Sequence, residues 1–203
     1  MKKNIKNSSI PERFDHLLNV IGNDRFLKMD SLNGEVPFFV CDYKPSDQVQ
    51  MVKLQKQLIN RLEQSGVKIL DVNLFDLCIT TLKIEGDFEW YLDQEPSMDK
   101  ARLLEDFQSI LDVENVIVPA IAKQLSEHKY DVLFITGVGE VFPFIRSHNV
   151  LNNLQKAAKL QPTVIFFPGS YSHSLETGAS LELFSLLHDD KYYRAYNIFD
   201  YQI

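Results

Sequence analysis

Short apolar runs without alternation recur along the chain: PFFVCDY (37–43), VKILDV (67–72), DVLFIT (131–136) and TVIFFP (163–168). Runs of this length and character are strands covered on both faces, the habit of a parallel sheet. A fifth segment, YYRAYNIF (192–199), alternates more clearly and is expected at a sheet edge. Between the first two runs, Met51, Leu54, Leu58 and Leu62 recur at spacings of three and four, with Lys53, Lys56, Gln57, Asn60 and Arg61 largely off that stripe. The spacing predicts an amphipathic helix, capped by Ser46 or Asp47 and stopped just before Gly66. A strand–helix–strand unit of this kind crosses over right-handed.

Residues 73–128 read as a largely helical insertion. Asn73 caps LFDLCITTL; Leu103, Leu104, Phe107 and Leu111 form a further stripe; Pro119 stands in the first turn of PAIAKQLSEH. VENVIV, before Pro119, is open between helix and strand, and the acidic EGDFEWYLDQEPSMD (85–99), which contains Pro96, reads as a loop or a broken helix lying on the surface. At the start, Ser9 and Pro11 open a helix over FDHLLNVI. Repeats, low-complexity tracts and Gly/Ser linkers are absent from the sequence. The expectation is one α/β domain over 1–203 with a mostly parallel central sheet of about five strands, Rossmann-like but without a P-loop. Residues 1–13 are expected to be partly flexible.

Charge narrows the class. The 203 residues hold 28 acidic and 21 basic side chains, a net charge of -7, which does not suit a stand-alone DNA-binding module. Lys2, Lys3 and Lys6 are read as a solvated, frayed terminus, so direct DNA binding through a basic strip ranks last. Cys41 and Cys78 lie in apolar runs; a disulfide is the alternative, and two buried free thiols in a reducing compartment is the preferred reading. No apolar stretch follows the charged start, and the longest apolar runs fall far short of the ~18 residues of a membrane span. A cytoplasmic protein without membrane contact is expected.

Tests for chemistry return few positives. No G-x-x-x-x-G-K-[ST] occurs, and TGVGE (136–140), which follows a strand, lacks the lysine and hydroxyl that hold phosphate and magnesium. It also lacks the third glycine of a dinucleotide fingerprint, so a tight strand-to-helix turn is the preferred reading. His16, His128, His148, His173 and His188 show no metal-ligand spacing, and His188-Asp189-Asp190 is taken as an exposed turn; neither a metal nor another cofactor is expected. Ser170, in FFPGSYSHS, lacks the glycines of a nucleophile elbow, and Pro168-Gly169 is read as a turn leaving a buried strand. Position adds what motifs cannot, because ligands of open parallel sheets gather beyond the carboxyl ends of the strands. Those ends carry Asp42, Asp71, Gly137, Gly139, Glu140, Gly169 and Ser170, with Arg146 reaching over from the next helix, and together they form a candidate ligand rim. Tyr171, Tyr192, Tyr193 and Arg194 are the candidate partner-binding residues, since tyrosine and arginine are enriched where proteins dock. Phe142, Phe144 and Tyr196 fall in the same half of the chain, and core aromatics with one polar edge is the alternative reading for most of these six rings.

The run LFITGVGEVFPFIRSHNVLNNLQ (133–155) resembles the signature of the BrxB family, a small component of bacterial BREX phage-defence systems. PTVIFFPGSY (162–171), LELFSLL (181–187) and DDKYYRAYNI (189–198) are similar to that family's closing pattern, and FDHLLNVIGNDRFLKM (14–29) and PFFVCDYKPSDQVQM (37–51) fit in place and spacing. The resemblance implies a non-catalytic subunit of a multi-protein system that restricts phage DNA replication. It implies binding to an enzyme component, above all the alkaline-phosphatase-like PglZ or the large ATPase. It carries over no catalytic residue. The competing expectation is a degenerate nucleotide-binding or hydrolytic domain, with the Gly137 and Gly139 amides on phosphate, Arg146 balancing charge and Glu140 positioning water or metal.

Overall fold

The computed structural model describes residues 5–30, 37–174, 178–189 and 195–201. A 3₁₀ turn at Ile5–Asn7 leads into α1 (Ile10–Ile21) and the short α2 (Asp24–Leu27), followed by β1 (Phe38–Tyr43) and α3 (Gln48–Gln64). After β2 (Ile69–Asn73) come α4 (Leu74–Glu85), α5 (Phe88–Gln94), α6 (Lys100–Ile110) and α7 (Val118–Glu127). The chain closes with β3 (Val132–Thr136), α8 (Ser147–Ala157), β4 (Thr163–Ser174), β5 (Gly178–Leu183), β6 (Leu187–Asp189) and β7 (Tyr196–Asn197).

The central strands run in the order β2-β3-β4-β1-β7, all parallel to their neighbours. Alternation along each strand divides the core in two. Phe38, Val40, Leu133, Ile135, Ile165 and Phe167 pack with α4, α7 and α8 on one face. Phe39, Cys41, Val132, Phe134, Val164 and Phe166 pack with α1 and α3 on the other. Every residue of β1 and β3 is buried, which explains why these runs show no polar alternation. The stripe Met51, Leu54, Leu58 and Leu62 is wholly buried. β1 and β2 are not neighbours: the α3 crossover spans β3 and β4 to reach the far edge, and the chain then steps back strand by strand on the opposite face. This is a doubly wound arrangement, with a switch point where β1 meets β4.

Several local expectations hold for identifiable reasons. The Asn73 side chain accepts from the Phe75 and Asp76 amides at 2.9 and 3.2 Å, capping α4. The Ser9 amide and hydroxyl both donate to Glu12, three residues on, at the start of α1. Gly66, at φ +91°, ends α3 in the left-handed conformation. The acidic segment is a helix broken at Pro96, with α5 followed by a 3₁₀ turn at Glu95–Ser97. VENVIV resolves as helix, a π turn at Val113–Ile117 feeding α7.

Other expectations need correction. Neither Ser46 nor Asp47 caps α3 with its side chain; a 3₁₀ turn at Pro45–Asp47 feeds the helix instead. TGVGE is not a tight strand-to-helix turn, because α8 begins only at Ser147. The Pro168-Gly169 pair is not a turn either: β4 runs through it. Up to Pro168 the strand pairs in parallel with β1, and from Gly169 it pairs antiparallel with β5, which in turn pairs with β6. Proline is tolerated because it stands at the last rung of the parallel ladder, opposite Tyr43. The clearly alternating segment supplies β7 at the edge beside β1, with Tyr196 partly exposed and Asn197 buried. Tyr192, Tyr193 and Arg194 lie outside the described residues.

Candidate functional site at the carboxyl ends of the strands

The switch point between β1 and β4 is where an open α/β sheet ordinarily offers a ligand crevice. Asp42, the penultimate residue of β1, points there and is buried. One carboxylate oxygen, Oδ2, lies 2.5 Å from Lys6 Nζ and accepts the Tyr171 amide at 2.9 Å. The other, Oδ1, accepts from Asn197 Nδ2 at 2.9 Å. The Asp42 carbonyl accepts from the buried Arg13 guanidinium at 2.8 Å, and that group lies 4.9 Å from the centre of the Phe199 ring. Tyr171, only 3% exposed, donates its hydroxyl to the Ala195 carbonyl, and burial pushes its phenol up to about 12 with the Asp42 charge adding. The N-terminal turn, the end of β1, the extension of β4 and the C-terminal segment are thus tied at one carboxylate.

The three glycines of the rim are taken up by close approach within the chain. A Cβ on Gly137, at φ +70°, would stand 2.4 Å from the Asn73 oxygen that caps α4. On Gly139 it would meet Pro168 at 2.7 Å, and on Gly169 the Glu182 carbonyl of β5 at 2.0 Å. Gly137 and Gly139 sit in a loop of ten residues before α8 and open no helix themselves; Gly137 instead packs against the N-cap of α4.

The other rim residues divide into separate contacts. Glu140, exposed, accepts from Gln48 Nε2 at 3.2 Å, and Gln48 Oε1 accepts the Tyr43 hydroxyl at 2.6 Å. Burial raises the Tyr43 phenol, and the Glu140 charge adds to it. Ser170 donates to Glu182 at 2.9 Å across the β4–β5 pair. Asp71 accepts from Thr136 at 3.0 Å; partial burial raises its carboxyl, the hydroxyl opposes this, and Asp76 adds to it. Arg146 is exposed and holds no ion pair among the described residues. Asp42, Gly139, Gly169, Ser170 and Tyr171 therefore come together around the β4 crossing, while Asp71 and Arg146 stand apart from them.

Sequence reasoning missed Lys6, Arg13 and Asn197. Lys6 reaches into the node rather than lying free at a solvated end. Arg13 did carry a signal, because it occupies the stripe of Leu17, Val20 and Ile21 where a charge needs a buried partner. Tyr171, expected on a docking surface, is a core residue. Among the described residues no group of three or more His, Cys, Asp or Glu side chains is placed to hold a metal ion. The His188-Asp189-Asp190 side chains lie outside the described residues. No described helix is long and apolar enough to cross a membrane.

A family profile described as "BREX protein BrxB" matches residues 70–198, more than half of the chain. The chain belongs to the BrxB family. A BREX protein BrxB of Bacillus cereus (strain H3081.97) is 33% identical over 198 residues, covering 94% of this chain and 98% of that protein. A BREX protein BrxB of Escherichia coli O9:H4 (strain HS) is 28% identical over 186 residues, covering 92% of this chain and 90% of its own. No solved structure matches. The profile takes in β3 to β7 and the β4 crossing but not α1 or β1, so within this BrxB chain the node joins residues inside the matched region, Tyr171 and Asn197, to Lys6, Arg13 and Asp42 outside it.

Proposed function

We propose that this chain is a non-catalytic adaptor subunit of a BREX-type anti-phage defence complex, and that it docks a larger enzyme component, with the alkaline-phosphatase-like PglZ the favoured partner. Family membership supports the system. One structural observation supports the role: the switch point that would hold a ligand is occupied by the chain's own groups, with both oxygens of Asp42 engaged by Lys6, Tyr171 and Asn197. A carboxylate with both oxygens satisfied has little left to offer a substrate. The outer faces then remain for contact, including the exposed Leu186 and Leu187 at the β5–β6 turn.

Co-purification of the tagged chain with PglZ and the other BREX components at physiological salt is the direct test. Recovery of PglZ in a stable complex is the expected result; recovery of none of them removes the adaptor reading. Turnover of a phosphoester or nucleotide by the purified chain, lost on Glu140→Gln, would replace it with the hydrolytic one.

A further inference from the structure

At the end of the sheet opposite the Asp42 node, a cleft of about 680 Å³ opens between α7, the end of α8 and the starts of β2, β3 and β4. Its rim is cationic in an acidic protein. Lys68 immediately precedes β2, Lys129 stands three residues before β3, and Lys159 lies in the connection entering β4. Since β2, β3 and β4 are adjacent and parallel, the connections that carry these lysines arrive at one end of the sheet. All three are exposed, and none forms an ion pair with a described residue. The one carboxylate in the lining, Asp131, accepts the Lys68 backbone amide at 2.7 Å and so offsets part of the charge. The walls are more apolar than polar, and Leu160 stands 78% exposed at the mouth.

We infer that this cleft binds an acidic peptide segment carrying apolar side chains, supplied by the partner protein. The inference rests on the adaptor reading for its partner but on the cleft alone for its chemistry. Three exposed ammonium groups on one rim attract a carboxylate-bearing occupant, whose apolar side chains remove Leu160 and the apolar wall from water. A nucleic acid would also satisfy the lysines, but the net charge of -7 opposes a long polyanion.

The test uses the full chain and three fluorescein-labelled probes: a short peptide of glutamates and leucines, a glutamate–serine peptide of equal charge, and an oligothymidylate. Fluorescence polarisation should show the glutamate–leucine peptide binding best and weakening as salt rises. Lys68→Glu with Lys159→Glu should weaken it about tenfold or more, and Leu160→Ser should weaken it while leaving the glutamate–serine peptide unchanged. These substitutions are at exposed positions, so circular dichroism should match the parent. Tighter binding of oligothymidylate, or indifference to both sets of substitutions, overturns the inference. Undiminished PglZ recovery by the lysine variants would reject the cleft and leave the adaptor role standing. Failure of the parent chain to recover any component would reject the adaptor role, while the polarisation result still decides the cleft.

Discussion

The Lys6 ammonium lies 2.5 Å from Asp42 Oδ2, with the Asp42 side chain wholly buried and that of Lys6 35% exposed. The pair is therefore asymmetric: one charge is sealed in the protein and the other retains contact with water. Removing the lysine leaves Asp42 with two neutral donors, Tyr171 N–H and Asn197 Nδ2, whereas removing the carboxylate orphans both of those buried donors and leaves Lys6 with water and the Tyr171 carbonyl at 3.3 Å.

Asp42→Ala is accordingly expected to cost on the order of 3 kcal/mol, and Lys6→Ala about 1–2 kcal/mol. Chemical denaturation of both variants checks the order. Equal losses, or a larger loss for Lys6→Ala, would show that the lysine carries the node.

Gly169→Ala tests the crossing of β4 from one pairing to the other. The added methyl would stand 2.0 Å from the Glu182 carbonyl and 2.9 Å from the Phe167 ring, so the backbone of β5 must move. A loss of about 2 kcal/mol or more is expected, with the neighbouring Ser170–Glu182 hydrogen bond broken. A thermal midpoint within a degree of the parent would mean that β5 does not hold this position.

The elements legible in the sequence are those in which local pattern and tertiary environment agree. β1, β3 and the parallel part of β4 announced themselves because burial on both faces leaves no polar alternation. The α3 stripe did so because one face meets the sheet. The β4–β5–β6 extension was hidden by its own chemistry, since Pro168-Gly169 is ordinarily a turn and only the pairing partner, Leu183, converts it to strand. The candidate rim was legible as a place and not as a set of contacts. Topology puts Asp42 at a strand end, but nothing local says that Lys6 and Asn197 will meet it from the two ends of the chain.

Asp71 supplies a pH-dependent prediction. Its carboxyl is raised in the folded protein by partial burial, so the neutral form is favoured by folding and the charged form weakens the fold. The penalty is absent below the ordinary carboxylate value of about 3.9 and fully present once the pH exceeds the raised folded value. Asp71→Asn keeps an acceptor for the Thr136 hydroxyl and removes the charge facing Asp76. Its thermal midpoint should exceed that of the parent at pH 7, with the gap closing as the pH falls toward 4. A constant gap across that range would assign the gain to something other than ionisation.

The two cysteines give a readout of global opening. Cys41 packs with α1 and α3 on one face of the sheet, and Cys78 with α4, α7 and α8 on the other, so the sheet stands between them. Burial pushes each thiol up to about 12, leaving almost no thiolate at pH 8. Ellman's reagent should therefore leave the native chain nearly unmodified and titrate both thiols in guanidinium. Where reclosing outpaces reaction, the native rate follows the open population. Gly169→Ala, costing about 2 kcal/mol, should then accelerate labelling about 30-fold. Fast modification of either cysteine in the parent chain would show that its face of the sheet opens locally, without unfolding the β4 crossing.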